Sequence, residues 1–188
     1  PRMAMDEILL EVEEKMETAA NYFRSELRGI RTGRASAGLV DHLKVNYYGS
    51  PTDLRQLATI STPEANLIVI KPFDPSSLKD IERAIQASDL GITPNADGKV
   101  IRLSVPSLSG ERRVQLVSQV KKMAEASRVT IRNARRDGNK EVDTQQKASE
   151  LTEDQAKKGK DDIQNLTKKY EALVDEILAA KTKEIEET

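Results

Sequence analysis

The chain has 188 residues, enough for one domain or two small ones. Charged residues make up 32% of it and aromatics 3%, a balance suited to long helices with aliphatic seams more than to a large globular core. The absence of Cys excludes disulfides, thiolate nucleophiles and zinc-thiolate sites, the formal net charge is only −1, and no apolar run approaches the ~20 residues that span a bilayer.

The opening PRMAMDE is too short and too polar for a signal peptide, so the expected setting is the cytoplasm. Pro1 cannot be an initiator, and Pro1-Arg2 reads as a non-native leader with Met3 or Met5 as the native start. From about Met5 to Arg31 the spacing predicts a helix. Ile8, Val12, Met16, Ala19, Phe23, Leu27 and Ile30 recur at alternating fours and threes along one stripe. The rest is acidic: residues 1–27 hold seven acids against three bases. The helix gives out in RGIRTGRASAG, where Gly29, Gly33 and Gly38 lower helix propensity and Arg28, Arg31 and Arg34 gather. Cations at a helix C-terminus complement its dipole, so capping is one reading of these arginines. Contact with phosphate is the other.

From about Leu39 to Val105 the period changes. Leu43, Val45 and Tyr47 alternate with polar residues as in a strand, and Tyr48-Gly49-Ser50-Pro51 reads as a turn. Leu54, Leu57 and Ile60 fall in a short irregular or strand segment. NLIVIK (66–71) is a buried-strand candidate stopped by Pro72. Asp74 or Ser76 caps a helix with Leu78, Ile81, Ala84, Ile85 and Ser88 on its apolar face and Gly91 as C-cap. Asp97-Gly98 signals a hairpin turn before a strand over 99–105.

A second long helix is expected after Pro106, capped by Ser109 and reaching at least Asn139, with a seam of Leu116, Val120, Met123, Ser127, Thr130 and Ala134. Gly138 costs a helix about 1 kcal/mol relative to Ala, so a bend or weak point is expected there. After the polar TQQKASE, Thr152 caps a third helix running to about Ile185, with Ile163, Leu166, Tyr170, Leu173, Ile177 and Ala180 as its seam. Residues 141–188 carry thirteen acids and eight bases. Three seams of this kind predict an α+β chain: an elongated antiparallel three-helix bundle (1–31 with 108–188) carrying a small inserted α+β domain (32–107), roughly L-shaped overall. Thr32 and Gly33 in one linker, with Val105, Pro106 and Ser107 in the other, are the expected hinge.

Residues 111–140 hold nine Lys or Arg and three acids, so basic charge is concentrated on the second helix. At about 100° per residue, Lys121, Arg128, Arg132 and Arg135 share one narrow wedge beside the seam, with Arg136 next to it. Two readings stand. The wedge is a solvated face paired with acids of neighbouring helices, or it is a nucleic-acid contact surface, for which arginine's planar fork is well suited. Catalytic signals are sparse. His42 is the only histidine, and no phosphate-binding glycine loop, HExxH, GxSxG or GxGxxG is present. Asp161-Asp162 reads as a solvated face rather than a metal pair.

The segments RTGRA (31–35), VNYYGSP (45–51), LRQLA (54–58), SDLG (88–91), TPN (93–95), IRL (101–103), ERR (111–113) and RNARRD (132–137) occur in that order. Together they resemble the ribosome recycling factor family, and the resemblance covers effectively the whole chain. It implies a factor that binds the bacterial ribosome after termination. With elongation factor G and its GTP hydrolysis it splits the ribosome into subunits, releasing it from messenger RNA, and it catalyses nothing itself. The bundle would lie on large-subunit ribosomal RNA while the inserted domain swings under force from elongation factor G. Arg132, Arg135 and Arg136 match the family's functional arginines, with Arg128 one turn earlier, and Arg31 and Arg34 match basic residues at the hinge. A monomer with no cofactor, no metal and no membrane or DNA partner is expected. A coiled-coil scaffold whose inserted domain binds a protein is the competing reading, and an enzyme using His42 is a distant third.

Overall fold

The computed structural model describes residues 2–187; Pro1, read above as part of a non-native leader, lies outside them. In chain order the elements are α1 (Arg2–Arg28), β1 (Lys44–Tyr47), β2 (Ser50–Asp53), the single turn α2 (Leu54–Leu57), β3 (Ala58–Glu64), β4 (Leu67–Pro72), α3 (Leu78–Ala87), β5 (Asn95–Asp97), β6 (Val100–Ser104), α4 (Gly110–Lys147) and α5 (Glu153–Glu187). They form two compact units, Pro1–Ile30 with Val114–Lys183 and Arg31–Arg113 with Glu184–Thr188.

The first unit is a bundle of three helices. Ile8, Val12, Met16, Ala19, Phe23 and Leu27 of α1 are buried as their spacing predicts. Side chains link all three helices. Ser127 Oγ donates to the Ala19 carbonyl at 3.2 Å, and Arg132 Nε donates to Glu171 Oε1 at 3.2 Å. Tyr170 OH donates to Glu13 Oε1 at 2.9 Å, and Lys169 Nζ lies 3.2 Å from the same oxygen. Ascending α1 therefore meets descending α4 and ascending α5, so α4 is antiparallel to both.

The seams of α4 and α5 differ from expectation by a small rotation. In α4 the buried positions are Leu116, Val120, Ala124, Ser127, Ile131, Ala134, Gly138 and Val142. Met123 is only half-buried and Thr130 is exposed. In α5, Ile163, Thr167, Tyr170 and Val174 are buried, while Leu166, Leu173 and Ile177 are half-buried and Ala180 is exposed. A helix facing two neighbours buries a stripe wider than a two-position heptad seam, and small or hydroxylated residues join it. Thr167 is tolerated inside because its Oγ1 donates back to the Ile163 carbonyl at 2.8 Å.

Gly138 does not weaken α4. The helix runs unbroken to Lys147, and Gly138 is buried where α1 and α5 close on it. A Cβ added there would meet Val12 Cγ2 at 2.5 Å and Ile163 Cδ1 at 3.2 Å. Packing on both sides outweighs the propensity penalty. Past Lys147 the chain turns tightly: the Ser149 and Glu150 N–H groups donate to the Gln146 and Gln145 carbonyls, with Ser149 at φ 61°. Thr152 then caps α5 reciprocally, its Oγ1 accepting from Gln155 N at 3.2 Å and its N–H donating to Gln155 Oε1 at 2.9 Å.

The second unit holds an antiparallel sheet of order β3-β4-β6-β5, a separate β1–β2 hairpin, and α3. Ile68 and Ile70 of β4 and Ile101 and Leu103 of β6 alternate inward and pack with Val45, Leu54, Ile81 and Ile85. The hairpin turn is only Tyr48-Gly49, both at positive φ, which releases Ser50 and Pro51 into a strand where a longer turn was expected. Tyr47 leans on the core and donates to Asp74 Oδ2 at 3.1 Å, while Tyr48 is exposed. Asp74 accepts from Ser76 N as the N-cap at the start of the α3 segment, which opens with a turn of 3-10 helix. The expected C-cap Gly91 lies beyond the end of α3. Ser88 closes the helix, and Gly91 takes its positive φ in the following turn.

Two predictions follow from the bundle. Gly138→Ala should lower stability by about 1–3 kcal/mol despite alanine's better helix propensity, because the extra methyl overpacks a closed three-helix contact. Urea denaturation measures it, and an unchanged or raised midpoint would show that the contact can yield. Burial, then the hydrogen bond to Glu13, pushes the Tyr170 phenol from its ordinary 10.0 up to about 12. Its contribution to stability is therefore complete below pH 10 and lost as pH rises through about 12. Ultraviolet titration of Tyr170→Phe should lose the latest-ionising tyrosine component of the wild-type chain.

Candidate nucleic-acid interface

The basic residues of α4 form a row along its edge with α5. Register places them there: the arginines sit one step outside the buried Ala124–Ile131 stripe, opposite acidic and amide positions of antiparallel α5. Arg128 is the most enclosed, its side chain 20% exposed between Asp175 and Glu125. Hydrogen bonding to Asp175 holds its guanidinium above even the ordinary arginine range. Arg132 donates through Nε to Glu171 and through Nη1 to Glu125, both at 3.2 Å, yet its side chain is 45% exposed. Its Nη2 has no protein acceptor among the described residues. Arg135 is half-buried and donates from Nη1 to Gln164 Oε1 at 3.3 Å, an amide rather than a carboxylate. Arg136 and Lys121 are exposed.

The reading of the wedge as a face paired with acids of neighbouring helices has its counterpart here. Carboxylates do pair with it, most fully at Arg128, but the pairs are at the surface. Exposed ion pairs contribute about 0–1 kcal/mol. A guanidinium has five donors in a planar fork, and one or two such bonds leave most of them available. Acids set the direction of the Arg128 and Arg132 forks, and the Gln164 amide holds that of Arg135. The acidic partners Glu171 and Asp175 and the amide Gln164 were not singled out from the sequence. The only available signal was the acid excess of the last helix.

Arg31 and Arg34 belong to the other compact unit and are both exposed. Arg31 Nη2 donates to the Asp89 carbonyl at 3.2 Å. The expected hinge residues also lie in that unit. Thr32 is buried and its Oγ1 donates to Glu184 Oε1 at 2.8 Å. Gly33 has φ +77°, and an added Cβ would sit 3.1 Å from both Leu108 Cγ and Leu108 N. Val105 is buried and its N–H donates to the Asn66 carbonyl at 2.7 Å, whereas Pro106 and Ser107 are exposed. The compact unit thus extends beyond the expected 32–107, to Arg31 and Arg113.

His42 is exposed and 3.8 Å from Asp41. Among the described residues no cluster of three or more His, Cys, Asp or Glu could hold a metal, and no helix is long and apolar enough to cross a membrane.

Comparison with known proteins gives a consistent result. The family model described as "Ribosome recycling factor" matches residues 23–185. A ribosome-recycling factor from a Synechococcus species is 51% identical over 177 residues, covering 94% of this chain and 97% of the relative. One from Halalkalibacterium halodurans is 50% identical over 181 residues, covering 96% and 98%. A solution structure of a ribosome recycling factor superposes with a TM-score of 0.80 at 38% identity, covering 98% of both chains. A second structure, at TM-score 0.66, 37% identity and 96% and 98% coverage, is a Thermus thermophilus ribosome recycling factor described with Escherichia coli elongation factor G bound to the E. coli post-termination complex.

Gly33 provides a local test. Gly33→Ala forces a side chain into left-handed backbone and against Leu108, so it should cost about 1–2 kcal/mol of stability. Denaturant unfolding followed by a reporter in residues 31–113 should register the loss, while a reporter in α5 at Val174 should barely move.

Proposed function

The chain belongs to the ribosome recycling factor family, and we propose that it holds the post-termination ribosome through the arginine row of α4. Its task is ribosome recycling: acting with elongation factor G, it parts the post-termination ribosome so that a new round of translation can begin. The half-exposed Arg132, beside exposed Arg136 and part-buried Arg135, carries the reading. Large-subunit ribosomal RNA is the partner such a surface fits. The major groove of an RNA duplex is too narrow and deep for side chains to read, so a rigid helix bearing guanidinium forks would recognise phosphates and shape. Exchanging a surface carboxylate, worth about 0–1 kcal/mol, for a phosphate costs little. A charge-assisted bond gained in return is worth about 1.5–3 kcal/mol. Arg128, boxed by two carboxylates, contributes chiefly by holding α4 to α5, and Lys121 extends the row's field.

The factor supplies no catalytic group. GTP hydrolysis would be elongation factor G's, and this chain would convert it into movement. Arg31 and Arg34 offer the other unit a second purchase on RNA. The two linkers, Thr32-Gly33 and Val105-Pro106-Ser107, allow that unit to swing. Gly33 packed against Leu108 supports the two crossings turning together. The chain would act as a cytoplasmic monomer.

Arg132→Ala and Arg136→Ala should each weaken binding to purified ribosomes by about 1–3 kcal/mol with folding intact. Arg128→Ala should lower the melting temperature more than the affinity. Binding of the wild-type chain should fall steeply with salt through counterion release, and less steeply in the variants. Co-sedimentation across a salt series reads all of this. Wild-type affinity in both Arg132→Ala and Arg136→Ala would remove the row from the interface.

A further inference from the structure

On the flank of α4 opposite the arginine row, a trough of about 750 Å³ runs along its seam with α1. Met123 and Thr130, expected in the bundle seam, line this trough instead. Its floor is made of small residues, among them Ala19, Ala126 and Ser127, so the two helices meet in a hollow rather than a ridge. The Ser127 hydrogen bond to the Ala19 carbonyl fixes that floor. Tyr22 lines the trough with 65% of its surface exposed. From Glu11 to Glu26 the trough extends for about 22 Å, roughly four helical turns. That is the length and position of a fourth helix added to a three-helix bundle.

The rim decides what kind of chain would lie there. Glu14, Glu26 and Asp137 are exposed on it, with no ion pair among the described residues. The one cation of the lining, Lys15, is 3.3 Å from Glu11 and neutralised by it. Such a field repels phosphate and draws Lys and Arg. The floor, being apolar, rewards aliphatic side chains. We propose that the α1–α4 trough docks a basic amphipathic helix of a partner protein. Its aliphatic face would cover Ala19, Ala126 and Ser127, and its Lys or Arg residues would face Glu14, Glu26 and Asp137. The proposal does not rest on the arginine row: the two surfaces lie on opposite flanks of α4 and carry opposite charge, so each can fail alone.

The test uses the full chain and a synthetic helical peptide with Leu at positions i, i+3, i+4 and i+7 and Lys on both flanks. Amide NMR titration should give saturable shifts confined to the trough, including Ala19, Tyr22, Met123 and Ala126. Glu14→Lys combined with Asp137→Lys should weaken binding on the order of tenfold or more, a loss of about 1.4 kcal/mol. The same peptide with Glu in place of Lys should not bind. Ala126→Trp, filling an exposed position, should block binding while circular dichroism shows the bundle intact. Absence of saturation at millimolar peptide, or shifts scattered outside the trough, would overturn the proposal. So would displacement of the peptide from these residues by an RNA oligonucleotide, or a second copy of the chain that holds the trough against the peptide.

Discussion

Arg128, Arg132 and Arg135 of α4 reach across to Asp175, Glu171 and Gln164 of α5, and the rest of the molecule's chemistry is arranged around that seam. Guanidinium groups packed in a row on one helix repel one another and would splay in water. Two acids and one amide placed at matching heights on an antiparallel neighbour hold these three forks in a defined direction. The Arg132 pairs are at the surface and therefore weak. Exposure differs along the row: Arg128 is enclosed and joins the helices, Arg135 is half-buried, and Arg132 and Arg136 stand open to solvent.

The seam requires α4 to be straight and closely held on its other side. Gly138 meets that need by having no side chain. Val12 and Ile163 approach its Cα from α1 and α5, and the helix passes through without a break. A residue with better helix propensity would hold the helices apart just beyond Arg135 and Arg136. The same economy of volume, at Ala19, Ala126 and Ser127, leaves the hollow on the opposite flank. One helix thus carries a basic edge and borders an acidic trough, and the chain's net charge of −1 conceals both.

The inserted unit is small, and its order comes from a compact set of aliphatic side chains, Ile68, Ile70, Ile81, Ile85, Ile101 and Leu103, with almost no aromatic contribution. Its one histidine is exposed beside Asp41.

Much of this was legible in the sequence because it depends on local periodicity. The α1 stripe, the Ser109 and Thr152 caps, the alternation of Ile68 with Ile70 and of Ile101 with Leu103, and the arginine wedge all follow from spacings of three, four or two. Ordered motifs from RTGRA to RNARRD pointed to the family. What only the tertiary structure decided involves two or three segments at once. The rotation that moved burial from Met123 and Thr130 to Ala124 and Ile131 depends on where α1 and α5 stand. The role of Gly138 depends on Val12 and Ile163, each far away in sequence. Which arginine is enclosed and which is open depends on the height of each acid on α5. Periodicity records which face of a helix is turned inward, but it carries no information about which neighbour waits there or how close that neighbour comes.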